Sequence, residues 1–298
     1  MDTAFTILLD GLTYASYLFI VSAGLTIIFG VMKILNVAHG SFYAWGAYCS
    51  AYFVGQFAEM GLPDWTGFFA IAGSAILVGA VLGLLIERVI LRRMYDQEEI
   101  LIVLATFGIF LILEDVILLV FGVNPYFAYQ PMAYLGSIEL GGITRDVYSL
   151  TLFALAVVIA VMCWWGLNKT RWGLLLVAVI HDKEASMAMG INVQAVSVAT
   201  FVIGATLGAL GGAYIAPTVS VAPGFAVDVI VLGFAVVVIG GMGSIPGALI
   251  GSVLVGLLRA LTVHKMPELE LFVIFIVMSV VLMFRPEGLF APAKARKI

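Results

Sequence analysis

Apolar residues run almost without interruption from Ile7 to Phe57, broken once by Lys33-Ile-Leu-Asn36-Val-Ala-His39-Gly40-Ser41. Each flank is long enough to enter a bilayer, since a helix needs roughly 20 apolar residues to cross about 30 Å of hydrocarbon. Polar groups and a glycine inside such a run are expensive unless they line a protein cavity or a water path. The break is therefore either a tight turn between two spans or a broken helix beside a translocation pathway. Along the chain the same pattern predicts helices over residues 4–29, 38–57, 65–86, 100–121, 147–167, 196–215, 227–239, 248–261 and 269–284. Two of these, 227–239 and 248–261, are too short to span alone, because about 13–14 residues make only about 20 Å of helix.

Composition agrees. The 298 residues are 63% hydrophobic and 11% charged, with a mean hydropathy of +1.16, whereas a soluble domain is about 45–50% apolar and about 25% charged. The pattern predicts an all-α integral membrane protein, a single polytopic domain over residues 1–298 with about 8–10 transmembrane segments, broken or short ones included. A net charge of -4 points to no nucleic-acid partner. Cys49 and Cys163 fall in apolar stretches and read as small hydrophobes. The start, Met1-Asp2-Thr3, lacks the positive region of a cleavable signal, so the first apolar run is expected to stay as a span.

Lys and Arg sort the loops into two sides. Lys33, Arg88, Arg92, Arg93, Lys169, Arg171, Lys183, Arg285, Lys294, Arg296 and Lys297 fall on one; Arg145, Arg259 and Lys265 fall on the other. The positive-inside rule makes the first side cytoplasmic, with the C-terminus inside and, if nine segments cross, the N-terminus outside. The external loop 122–146 carries Pro125, Pro131, Gly136, Gly141 and Gly142 and reads as irregular or hairpin structure. The internal loop 168–194 holds a short helix from Asp182: Asp182 suits an N-cap, Glu184 lies in the first turn, and Gly190 is a natural stop. Ala185, Ala188 and Met189 share one face of it, which either docks onto another protein or packs back on this chain.

A cytoplasmic Glu-Ala…Gly helix followed by Ile191-Asn192 resembles the coupling helix of bacterial ABC importer permeases. Other pieces occur in the same order as in one family, the permease subunits of high-affinity branched-chain amino acid importers. They are Gly24-Leu-Thr-Ile-Ile-Phe-Gly30, Ile34-Leu-Asn36-Val-Ala-His39-Gly40, Ala105-Thr-Phe-Gly108 with Glu114, Gly240-Gly241-Met-Gly243-Ser244-Ile-Pro246-Gly247, and Phe284-Arg285-Pro286-Glu287-Gly288-Leu289. Sugar permeases of the wider superfamily share the Gly-Gly-x-Gly-Ser piece, so it marks the fold and not the substrate. The resemblance implies an ABC importer permease in a bacterial inner membrane, with a second permease subunit (hetero- or homodimer), two ATPase subunits and an external substrate-binding protein. It further implies an amino-acid substrate, no cofactor in this chain, ATP and Mg on the ATPases, and a coupling set of Asp182, Glu184, Ala185, Ala188, Gly190 and Ile191.

The chain contains no phosphate-loop sequence and no metal-ligand spacing of Cys or His. It is expected to be a transport subunit and not an enzyme. For the pathway, Asn36, His39, Gly40 and Ser41 form the first candidate group, because broken helix ends present N–H and C=O groups suited to a zwitterion. Gly241, Gly243 and Ser244, in the break between the two short helices, form the second. The two breaks suggest halves related by internal symmetry, although no residue-by-residue repeat supports it. Glu114, inside the predicted helix 100–121 beside Asp115, is the third, either functional or an interhelical contact. It also carries the alternative function, a proton-coupled secondary transporter. An intramembrane enzyme, the remaining possibility, would need a nucleophile–base or metal pair.

Overall fold

The computed structural model describes residues 2–140 and 142–290; Gly141, Lys294, Arg296 and Lys297 lie outside the described residues. The helices are α1 (Asp2–Met32), α2 (His39–Glu59), α3 (Gly67–Val89), α4 (Glu99–Phe121), α5 (Gln130–Leu135), α6 (Val147–Lys169), α7 (Arg171–His181), α8 (Lys183–Ala188), α9 (Val193–Ile215), α10 (Phe225–Gly240), α11 (Ile245–Lys265) and α12 (Glu270–Phe284). A hairpin of β1 (Ser137–Leu140) and β2 (Ile143–Asp146) pairs Ser137 with Asp146 and Leu140 with Ile143. With α5 it occupies the 122–146 loop. Among the described residues α1, α3, α4, α6, α9 and α11 are long and apolar enough to cross a membrane. The predicted polytopic helical bundle is what forms.

Lipid tails are as apolar as leucine, so close backbone contact, not burial from water, must hold the spans together. Glycines supply it. Gly256 of α11 seats its backbone against Gly11 and Ala15 of α1, Gly79 of α3 lies against Thr206 of α9, and Gly204 of α9 lies against Gly24 and Ile28 of α1. Thus α1 crosses α11 and α9, while α9 crosses α1 and α3.

The charges divide by end. At the basic end Arg92 donates to Gln194 at 2.7 Å, and Lys183 lies over the Tyr95 ring at 5.5 Å. At the opposite end Arg145 pairs with Asp10 and Arg259 with Glu270, each at 2.6 Å, and Arg259 stacks on Tyr14.

Two details differ from the sequence reading. Residues 240–247 are not a second broken helix: α10 stops at Gly240, a four-residue turn follows, and α11 runs a full 21 residues from Ile245. Pro246 and Gly247 looked like breakers, yet Pro in a first helical turn costs no hydrogen bond, and Ser244 caps the start by accepting from Gly247 N at 3.1 Å. The internal loop, in turn, contains α7, capped by Thr170 accepting from Gly173 N.

Candidate functional site

At the basic end Lys33 enters the left-handed region (φ 56°) and ends α1. Residues 33–38 then run back into the bundle as a non-helical strap, and α2 starts at His39. Two contacts give the depth. Val37 N donates to Thr106 Oγ1 in α4 at 3.2 Å, and His39 Nε2 meets Val21 O at 3.0 Å. Val21 lies eleven residues before Met32, roughly 16 Å along α1, so His39 sits about halfway through a 30 Å core. The interruption is a re-entrant strap and not a tight turn.

Asn36, His39, Gly40 and Ser41 are all buried. The His39 ring wedges between Gly24 and Gly208. With Nε2 against the Val21 carbonyl as donor, Nδ1 faces inward without a partner, and so do both amide atoms of Asn36. Ser41 Oγ donates to Phe110 O at 3.4 Å, and Gly40 fits beneath Ile230 and the Ala226 carbonyl of α10. The first N–H groups of α2 are not free: His39, Gly40 and Ser41 N donate to Asn36, Val37 and Ala38 O at 3.2, 3.3 and 3.0 Å. What this break presents inward is therefore side-chain polarity from Asn36 and His39, not a bare helix terminus.

The structure supplies a counterpart that the hydropathy pattern did not show. After α9, residues 219–224 turn back into the bundle from the opposite end, and α10 begins at Phe225. Gly233 lies against Val21 and Ser22, which places Phe225 eight residues, about 12 Å, toward the opposite end and still inside α1's length. Val221 pairs with Tyr126, Gly224 adopts φ 85°, and Phe225 stacks on Tyr43 with centroids 5.0 Å apart. The two straps share a signature, Val37-Ala38-His39-Gly40 and Val221-Ala222-Pro223-Gly224. That shared quartet was the available signal for the second strap.

Glu114 belongs to this neighbourhood. Its carboxyl lies beside the Gly224 backbone and near Tyr48, and Oε1 is buried without a partner. Asp115 points out of the bundle. Glu114 makes no ion pair among the described residues, so the structure offers it no basic relay.

Gly241, Gly243 and Ser244 are elsewhere. Their turn packs on Gly30, nine residues or roughly 13 Å along α1 from Val21, and it meets the chain's last described residues. Gly288 (φ 84°) covers Gly241, while Leu289 N and Phe290 N donate to Ile239 O and Gly240 O, each at 2.9 Å. The glycines let two backbones touch, and the tail satisfies carbonyls that α10 leaves open.

The coupling set is contiguous. Asp182 caps α8, its Oδ1 accepting from Ala185 N at 2.9 Å, and Gly190 (φ 82°) ends it. Ser186 faces inward, Ile191 packs with Val179, Val193 and Val196, and Asn192 caps α9. Ala185, Ala188, Met187 and Met189 stay exposed, so none of the described residues covers that face. Glu87 was missed: it is 1% exposed at the base of α3 and accepts from Tyr95 OH at 2.8 Å, beside Lys183.

The family model for the branched-chain amino acid transport system, permease component, matches residues 7–282. The chain belongs to this permease family. It is 26% identical over 301 residues to the high-affinity branched-chain amino acid transport system permease protein LivH of Escherichia coli K12, spanning 97% of this chain and 96% of that one. It is also 26% identical over 299 residues to BraD, the corresponding permease protein of Pseudomonas aeruginosa, spanning 98% and 97%. A nucleoside ABC transporter permease protein, NupC of Lactococcus lactis subsp. cremoris, is 34% identical over 146 residues, 47% of this chain and 45% of that one. As a permease of this family the chain is a multi-pass membrane transport subunit. Both straps, Glu114, α8 and the Gly-Gly-x-Gly-Ser turn lie inside the matched span.

Proposed function

We propose that the chain is the membrane subunit of an ATP-driven importer that moves branched-chain amino acids, or related small amino acids and amides, across a bacterial cytoplasmic membrane. The family match over residues 7–282 carries this reading. The basic end is cytoplasmic, which puts the C-terminus inside and the N-terminus outside. A separate ATPase subunit, carrying ATP and Mg, takes the uncovered Ala185–Met189 face of α8. A second permease subunit, a second ATPase and an external binding protein complete the assembly.

The mechanism follows the packing. α8 joins α9 through Ile191 and Asn192, and α9 bears Gly208 against His39 and Gly212 against Tyr43. A shift imposed on α8 therefore reaches the strap end that closes the bundle centre. Asn36, His39, Ser41 and Glu114 are the groups uncovered when the α2 and α10 starts separate, and the unpartnered Asn36 amide, His39 Nδ1 and Glu114 Oε1 suit a zwitterionic solute.

Reconstitution with the ATPase and binding protein tests this. Uptake should require ATP, and Ala185→Glu or Gly190→Glu should leave hydrolysis running while uptake falls at least tenfold. Uptake driven by a proton gradient without ATPase, and lost on Glu114→Gln, would overturn the reading in favour of a secondary transporter.

A further inference from the structure

We propose that the groove between α6, α7 and α9 at the basic end binds one anionic phospholipid, its acyl chain lying in the groove and its headgroup held by Lys169 and Arg171. The groove measures about 460 Å³ and is walled by Ile159, Met162, Leu176, Val196, Ile203 and Leu207. Its few polar groups are already satisfied: Thr200 Oγ1 donates to Val196 O at 2.7 Å and Thr170 Oγ1 to Gly166 O at 2.5 Å. Neither hydroxyl keeps a hydrogen free to donate to a polar solute.

The groove stays open for a local reason. Gly173 brings α7 into backbone contact with Gly166 and Leu167, which pins α7 across the end of α6. A side chain at Gly166 would meet nothing within 4 Å, so the α6 wall below that contact is left without a neighbour.

The occupant follows from the order of chemistry with depth. Between Ile159 and Thr170 the groove follows α6 for roughly 16 Å, the reach of one leaflet's hydrocarbon. At its mouth Thr170 and Trp172 line the wall, with exposed Trp164 and Trp165 on the preceding turn. Lys169 and Arg171 flank Thr170 in sequence, exposed and without an ion pair among the described residues. Apolar walls, then indole rings, then free cations match the tail, interface and phosphate of an anionic lipid. Two cations within three residues at the mouth select a negative headgroup, which distinguishes this occupant from a neutral lipid or an apolar helix.

The test uses the purified chain in phosphatidylcholine vesicles with increasing phosphatidylglycerol brominated on its acyl chains. Trp172 fluorescence is isolated as the difference between the parent and Trp172→Phe. Quenching should saturate at a phosphatidylglycerol fraction well below that needed for bulk contact, and brominated phosphatidylcholine should not reproduce it. Lys169→Gln and Arg171→Gln should each raise the half-saturating fraction roughly fivefold, while Lys169→Arg restores it. Gly166→Leu, whose Cβ enters open space, should lower the maximal quenching without lowering the unfolding temperature. Quenching that tracks bulk composition, that is equal for the two lipids, or that survives both the charge and the Gly166→Leu variants would overturn the proposal. So would crosslinking from Cys163 to a second protein chain seated in the groove.

Discussion

Asp182→Ala should fray α8 and loosen its coupling to a partner. The helix has six residues, and its side-chain cap is the Asp182 Oδ1 to Ala185 N bond of 2.9 Å. Losing such a cap costs about 1 kcal/mol, equivalent to about a fivefold rise in the open population. Four amides depend on the fold of this turn: Ser186 N to Asp182 O (3.1 Å), Met189 N to Ala185 O, Gly190 N to Met187 O and Ile191 N to Ser186 O (3.0 Å each). In hydrogen exchange these four should exchange about fivefold faster, while amides in the middle of α9 should not change. Asp182→Asn keeps a capping oxygen and should behave as the parent, because asparagine caps about as well as aspartate. In a reconstituted complex with ATPase, uptake per ATP should fall by up to about fivefold in the alanine variant and hold in the asparagine variant. Parent-like exchange in Asp182→Ala would refute the capping argument. Failure of Asp182→Asn to the same extent as alanine would show that the charge matters and the cap does not.

Three further changes probe the packing. Gly256→Ala would place a Cβ 2.6 Å from Gly11 O and 2.7 Å from Ala15 N, so α1 and α11 must part at a cost of about 1–3 kcal/mol; Gly55→Ala, with nothing within 4 Å, should be neutral or stabilising, and thermal unfolding in detergent compares the pair. Tyr95→Phe strips the buried Glu87 carboxyl of its donor and should cost about 1–3 kcal/mol. Burial, followed by the bond to Glu87, raises the Tyr95 hydroxyl above the usual phenol range. The neutral donor is therefore intact below about pH 10, and the gap between parent and Tyr95→Phe should hold to that pH and shrink above it, as denaturation at stepped pH would show. Arg145→Gln breaks a pair whose side chains are 25% and 31% exposed, so it should change stability by less than about 1 kcal/mol.

Much of the architecture was legible because hydropathy reports length, and length in lipid reports crossing. The spans, the sorting of charges by end, the interruption before His39 and the Asp182 cap all rest on single-residue chemistry at short range. The second strap did not show, because residues 219–224 are apolar or small and sit beside apolar helices; nothing in their hydropathy marks a return into the bundle. Pairing the first break with Gly240–Gly247 followed from glycine content, yet those glycines serve a close backbone crossing with Gly30, Gly247 and Gly288. A glycine states that space is short without stating what fills it. The α8 face was ambiguous for another reason: only the tertiary placement of Ser186 and Ile191 decides which side turns inward.

The two straps enter from opposite ends and stop at helix starts that touch, Gly40 of α2 lying against Ala226 and Ile230 of α10. A single continuous barrier would tie both ends to one motion. Here each end has its own non-helical segment, and such segments change shape at less cost than a hydrogen-bonded helix, which must break its ladder to bend. The strap from the basic end is anchored on α4 by Thr106 and on α1 by Val21, whereas the strap from the opposite end is anchored on Tyr126 and lies beside Glu114. The two sets of anchors use different residues, although both include α4, through Thr106 and through Glu114. The contact between them sets Gly40 against Ile230 and the Ala226 carbonyl, with Phe225 stacked on Tyr43, so separating it exposes apolar area. At about 25 cal/mol per Å², parting them carries a cost that a partner's binding energy must meet. The straps, more than the spans, are where this bundle is built to move.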